Sequence, residues 1–107
     1  MVTPFRLVET SPGNFSLLLS EFSPASEVFA AAGLEGGGYT WGAIARHLID
    51  AEDDERLGLD PEGSMFCAYG EDRAALEQLG ARLAALFHDR AALGKLIEEI
   101  GPENFDD

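Results

Sequence analysis

The stretch Leu57-Gly58-Leu59-Asp60-Pro61-Glu62-Gly63-Ser64-Met65-Phe66-Cys67-Ala68-Tyr69 decides how this chain is read. Met65 to Tyr69 is an uninterrupted apolar run with turn residues before it and Gly70 after it. A short apolar run between turn signals reads as a buried central strand. The strand period of two puts Phe66 on one face and Met65 and Cys67 on the other. Asp60-Pro61-Glu62-Gly63 reads as a tight turn, with Pro61 presetting φ at its second position and Gly63 closing it. A third strand near Leu57 to Leu59 precedes that turn. Acids crowd the same region: Glu52, Asp53, Asp54 and Glu55 lie just upstream, and Asp60 and Glu62 sit in the turn itself.

Working towards the N-terminus, Tyr39-Thr40-Trp41 opens a helix with Thr40 as its cap candidate. Trp41, Ile44, Ala45, Leu48 and Ile49 recur at helical spacing and form a core-facing stripe. Arg46 and His47 point elsewhere, and His47 reads as a lone surface histidine. Gly36-Gly37-Gly38 lacks the GxGxxG spacing and the Gly-Lys-Ser/Thr signature of phosphate loops, and Glu35 beside it repels phosphate. A flexible or tightly packed turn is the better reading. Before it, Ser23-Pro24 starts a helix of about ten residues with stripe Val28, Phe29 and Ala32, and Gly33 ends it in a left-handed cap. Phe5 to Glu9 and Phe15 to Glu21 form an N-terminal hairpin across Ser11-Pro12-Gly13-Asn14, which suits a type II turn. Phe15, Leu17 and Leu19 share one face of the second strand.

Towards the C-terminus, Asp72 caps a long helix whose apolar positions are Leu76, Leu79, Leu83, Leu86 and Phe87. Asp89 caps a last helix with stripe Leu93, Leu96, Ile97 and Ile100, stopped by Gly101-Pro102. Residues 103–107 read as a loose acidic tail unless Phe105 pins it. The element order is ββααββαα. Strand pairs joined by short turns favour an antiparallel sheet, here of about four strands, with helices on one face. The expectation is a single two-layer α+β domain over residues 1–107.

Composition narrows the function. The chain has 107 residues, 46% of them hydrophobic, with seven Phe and one Trp. A chain of this length buries roughly 65% of its unfolded surface and needs no covalent staple. Its single cysteine, Cys67, excludes an internal disulfide and reads as a small buried hydrophobe. There is no charged-then-apolar leader pattern and no apolar run near ~18 residues, so a cytoplasmic protein is expected. The net charge is −13, from 20 acids and 7 bases. That argues against nucleic acid or an anionic membrane as partner. Residues 50–62 hold seven acids and one base, and residues 98–107 five acids and no base, so the two stretches carry −11 of the −13. Such clustering is either a solvated face or an electrostatic platform for a basic partner.

Catalysis and metals find little support. A calcium loop counted from Asp50 would need glycine at its sixth position and glutamate at its twelfth, where the chain has Glu55 and Pro61. His47, Cys67 and His88 lack zinc-ligand spacing. No cofactor loop is present, and no metal or catalytic set is expected. Two competing classes stay open. One is a small acidic regulatory or ligand-binding domain. The other is an enzyme using Asp60 and Glu62 as acid and base.

Two motifs together carry a family resemblance: Gly36-Gly37-Gly38-Tyr39-Thr40-Trp41 entering a helix, and Leu59-Asp60-Pro61-Glu62-Gly63-Ser64-Met65-Phe66-Cys67-Ala68-Tyr69 before an acidic helix start. The chain resembles the immunity protein 51 family of bacterial polymorphic-toxin systems. The resemblance implies a cytosolic protein that binds and neutralises a toxin, without catalysis and without a cofactor. A basic toxin such as a nuclease suits the acidic surface. The candidate contact residues are Glu52, Asp53, Asp54, Glu55, Asp60 and Glu62, with Tyr39 and Trp41 as aromatic anchors or, alternatively, core residues.

Overall fold

The structure is a computed structural model and describes residues 4–49, 57–62 and 64–105. Strands β1 (Arg6–Ser11), β2 (Asn14–Leu19), β3 (Leu57–Leu59) and β4 (Phe66–Gly70) form one antiparallel sheet in the order β1-β2-β4-β3. Four α-helices are described: α1 (Ser26–Ala31), α2 (Gly38–Leu48), α3 (Arg73–Phe87) and α4 (Arg90–Ile100). The class is α+β and the order is ββααββαα, as the periodicities predict. Helices α2 and α3 lie on the sheet, while α4 packs on α3 and α1. No helix among the described residues is long and apolar enough to cross a membrane.

Local chemistry explains most boundaries. Gly13 has φ 79°, the left-handed value a type II turn needs at its third position, and it joins β1 to β2. Gly33 also has φ 79°. Leu34 N–H donates to the Phe29 carbonyl at 2.9 Å and Gly33 N–H to the Ala30 carbonyl at 3.0 Å, the paired bonds of a Schellman cap. The Asp72 carboxylate accepts from the Ala75 N–H at 3.0 Å and Asp89 from the Ala92 N–H at 3.1 Å, so both predicted N-caps are made.

Three expectations give way to local geometry. Ser23 does not cap α1: residues 23–25 form a 3-10 turn, and the Ser23 hydroxyl donates to the Glu21 carboxylate. Thr40 is not the cap of α2, because Gly37 is. Thr40 lies inside the first turn, and its hydroxyl accepts from the Gly36 N–H at 3.1 Å. The β3–β4 reversal is not centred on Pro61. Glu62 N–H donates to the Met65 carbonyl at 2.7 Å and Met65 N–H to the Glu62 carbonyl at 3.2 Å, which closes a two-residue loop between them. Pro61 sits on an outer arm, where its missing N–H costs no ladder bond.

The core is an aromatic cluster. The Phe5 ring meets Trp41, Phe66 and Phe87 edge-on, with centroids 5.7, 5.9 and 6.2 Å apart. Phe29 meets Trp41 edge-on at 5.5 Å. These offsets are the favoured arrangement of aromatic quadrupoles. Leu17, Leu19, Leu76, Leu83, Leu93 and Ile97 complete the buried set. Phe105 is buried as well, and Pro102–Asn104 form a 3-10 turn, so residues 103–105 are pinned to the body and are not a loose end.

Strand alternation sorts the central strand as expected. Phe66 and Ala68 face the helices, and Cys67 and Tyr69 face away. Register sets Ser16 and Leu18 of β2 beside them on that outer face. Replacing Phe66 by Ala is expected to cost ~3–5 kcal/mol in urea unfolding, the usual range for emptying a buried aromatic site. A loss under ~1 kcal/mol would place the ring outside the core.

Candidate functional site

The start of α2 and the β3–β4 hairpin meet through glycine. A Cβ on Gly38 would run into the backbone carbonyls of Glu62 and Met65. One turn along the same helix face, a Cβ on Gly42 would lie 3.0 and 3.3 Å from the Pro61 ring. The helix therefore approaches the hairpin backbone to backbone, which only residues without a side chain permit. Gly36, with φ 79°, similarly leaves room for the Phe29 ring, whose Cδ2 would lie 2.9 Å from an added Cβ. Gly36 and Gly38 are thus packing positions, and Gly37 between them is the N-cap of α2.

This contact fixes the surface above it. Tyr39 follows Gly38 directly and is 50% exposed. It lines an open cleft of about 330 Å³ together with Arg46 and His47 of α2, Leu59 and Pro61 of the hairpin, and Asn104. Asp60 and Glu62 flank Pro61 and are exposed. His47 is not a lone surface histidine: its Nε2 lies 3.6 Å from the Glu99 carboxylate, with both groups exposed. The two motifs of the sequence thus meet at this cleft, which Tyr39 and Arg46 line with Leu59 and Pro61, while Asp60 and Glu62 alternate with those two residues along the arm and lie on its Cys67 side.

Trp41 is not on that face. It is fully buried between Phe5, Phe29 and Phe87, so the core alternative holds and Trp41 is no surface anchor. Its Nε1 has no hydrogen-bond partner among the described residues. Positions 39 and 41 lie about 200° apart around a helix, so one faces out when the other faces in. Glu52, Asp53, Asp54 and Glu55 lie outside the described residues. Among the described residues no three His, Cys, Asp or Glu side chains group to hold a metal ion.

Cys67 is half-buried on the outer sheet face and not in the core. Burial pushes its thiol above the ordinary value, and the Asp60 and Glu62 charges push the same way. A hydrogen bond with Ser16 opposes them. Negative charge and poor solvation both disfavour the thiolate, so the thiol is a weak nucleophile at neutral pH.

The family model for immunity protein 51 matches residues 5–102. The chain belongs to the immunity protein 51 family. The match runs from the buried Phe5 through Pro102 and takes in both motifs of the cleft. No curated protein and no solved structure matches this member of the family.

The position of Cys67 gives an early check on the electrostatics of the face. Alkylation of the native thiol should be slower than in urea near neutral pH and should accelerate only in more alkaline solution. Replacing Asp60 by Asn and Glu62 by Gln together should move that acceleration to lower pH, but only in part, because burial is the larger cause. Equal rates in native and unfolded protein would contradict it.

Proposed function

We propose that the protein neutralises a basic toxin, a nuclease being the best-suited class, by docking the Tyr39 cleft and its acidic surroundings against it. The family supplies the role of immunity protein. The observation that supports the proposed mode is the hairpin arm held against the start of α2 at Gly38, with Asp60 and Glu62 exposed on the arm and the half-exposed Tyr39 next to Gly38 on the helix. A rigid aromatic beside exposed carboxylates suits a binding surface: the ring supplies buried area with few rotamers to freeze, and the acids supply complementarity to cations.

Charge supports a basic partner. At −13 the protein attracts a cationic surface over a distance set by ionic strength. Carboxylates at the contact would stand where a nuclease holds substrate phosphates. Inhibition by occupancy needs no catalytic step, so no enzymatic activity is assigned. Glu52, Asp53, Asp54 and Glu55 are proposed as the solvated rim, and Asp60 or Glu62 as the group that enters the toxin's site.

The two roles separate in binding kinetics with the cognate toxin. Replacing the four rim acids by their amides should slow association and flatten its salt dependence, with dissociation little changed. Replacing Asp60 or Glu62, whichever enters, should cost ~2–5 kcal/mol through faster dissociation, because a buried cation is left unpaired. Tyr39→Ala should also act on dissociation, by roughly 2 kcal/mol if the ring is an anchor. If none of these changes alters kinetics or growth rescue, the contact lies on another face.

A further inference from the structure

Helices α2 and α3 cover the sheet on the face that carries Phe66 and Ala68. The other face presents two cross-strand rows. Gly58, Tyr69, Ser16 and Val8 stand side by side in one, and Cys67, Leu18 and Arg6 in the next. The Asp60 N–H donates to the Cys67 carbonyl at 2.9 Å, which sets Asp60 at the β3 end of the second row. Val8, Leu18 and Cys67 are half-buried, and Tyr69 is 47% exposed. Among the described residues only Tyr39 is another large hydrophobic side chain so open to solvent.

Tyr69 is held in place by a glycine. A Cβ on Gly58 would run into the far end of the Tyr69 ring and its hydroxyl. The ring therefore lies across the bare backbone of β3, at the edge of the sheet that leads into Asp60 and Glu62. Tyr69 and Asp60 are diagonal neighbours on adjacent strands, a relation that sets residues roughly 7–8 Å apart and within reach of an aromatic ring. Both acids are exposed, and their charge is felt at Cys67. Arg6 stands at the opposite end of the second row, three strands or about 14 Å away. No ion pair among the described residues joins it to either acid. The β3–β4 half of this face is thus acidic, around an aromatic ring already fixed in position.

Two other concavities lack this match to a basic surface. The Tyr39 cleft, on the arm's other side, is walled by Arg46 and His47, so Asp60 and Glu62 meet a partner from the sheet side. An open groove of about 770 Å³ between α3 and α4 has Leu86 and Leu96 in its floor, and its rim balances Arg82 and Lys95 against Glu98 and Glu99. We infer that the outer sheet face beside the Asp60–Glu62 arm docks a basic protein, with one of its Lys or Arg side chains seated on the Tyr69 ring next to Asp60. A cation over the ring is attracted by its quadrupole, more strongly once water is excluded. The neighbouring carboxylates supply the counter-charge and steer the encounter, and Leu18 and Cys67 supply apolar ground around the anchor. The inference rests on the toxin-binding reading and extends that contact round the arm onto the sheet.

Cys67 lies within this face and reports on its coverage. The probe is the purified toxin domain from which the protein rescues growth, and calorimetry first establishes whether the two bind. Iodoacetamide labelling of Cys67 is then followed by mass spectrometry at about pH 9, near the ordinary thiol range, with and without saturating toxin. Labelling should slow at least ~10-fold in the complex, because access to the thiol is lost. Tyr69→Ala should speed dissociation roughly 10- to 100-fold, as removal of an aromatic anchor does. Tyr69→Phe keeps the ring and should restore most of the loss. Circular dichroism checks that the variants fold, and the labelling needs no variant. A toxin that binds yet leaves the labelling rate of Cys67 unchanged overturns the inference, while the toxin-binding reading stands. An unchanged dissociation rate for Tyr69→Ala overturns it equally. If the wild-type protein shows no binding in calorimetry, the reading itself fails and takes the inference with it.

Discussion

The structure depends on one close approach, that of the α2 backbone to the β3–β4 hairpin at Gly38. No side chain separates the helix start from the carbonyls of Glu62 and Met65. Gly42 extends the contact by a turn, against Pro61. This brings Trp41 into the centre of the aromatic cluster, since its depth is set by how near α2 lies to the hairpin and to β4. It also fixes Tyr39 and the Asp60–Glu62 arm relative to each other. Core and candidate site are thus consequences of the same contact, one on each side of α2.

That arrangement gives the protein two faces with different electrostatic character. The Tyr39 cleft sits beside exposed carboxylates, and much of the chain's negative charge lies near it in sequence. The α3–α4 groove is apolar with a balanced rim. The His47–Glu99 pair joins their edges, since His47 lines the first and Glu99 the second.

Much of this was legible in the chain. Asp72, Asp89, Gly13 and Gly33 were readable because caps and tight turns are local: the deciding hydrogen bonds span a few residues. Alternation placed Phe66 and Cys67 on opposite faces of β4 for the same reason. The β3–β4 reversal was misplaced because Pro61 is a strong turn signal, while the loop is set by which N–H and C=O groups pair across it. Cys67 read as core because an apolar run looks the same whether one face of the sheet is covered or both. Tyr39 and Trp41 read alike in one dimension, although the 200° between them on a helix already separates inside from outside. What no local signal gave was the convergence of the two motifs. The spacing of Gly38 and Gly42, one turn apart on one helix face, was the trace it left.

The most direct measurement compares Gly38→Ala with Gly94→Ala in urea unfolding. Alanine in place of an unhindered helical glycine stabilises by about 0.5–1 kcal/mol. Gly94, inside α4, is such a site: the nearest atom to an added Cβ is Val28 Cγ1 at 3.9 Å. Gly38→Ala should have the opposite sign and destabilise by at least ~1–3 kcal/mol, because the methyl group meets two backbone carbonyls that cannot move without opening the hairpin. If Gly38→Ala instead stabilises the protein as Gly94→Ala does, the helix and the hairpin do not meet backbone to backbone, and the account of both core and site fails.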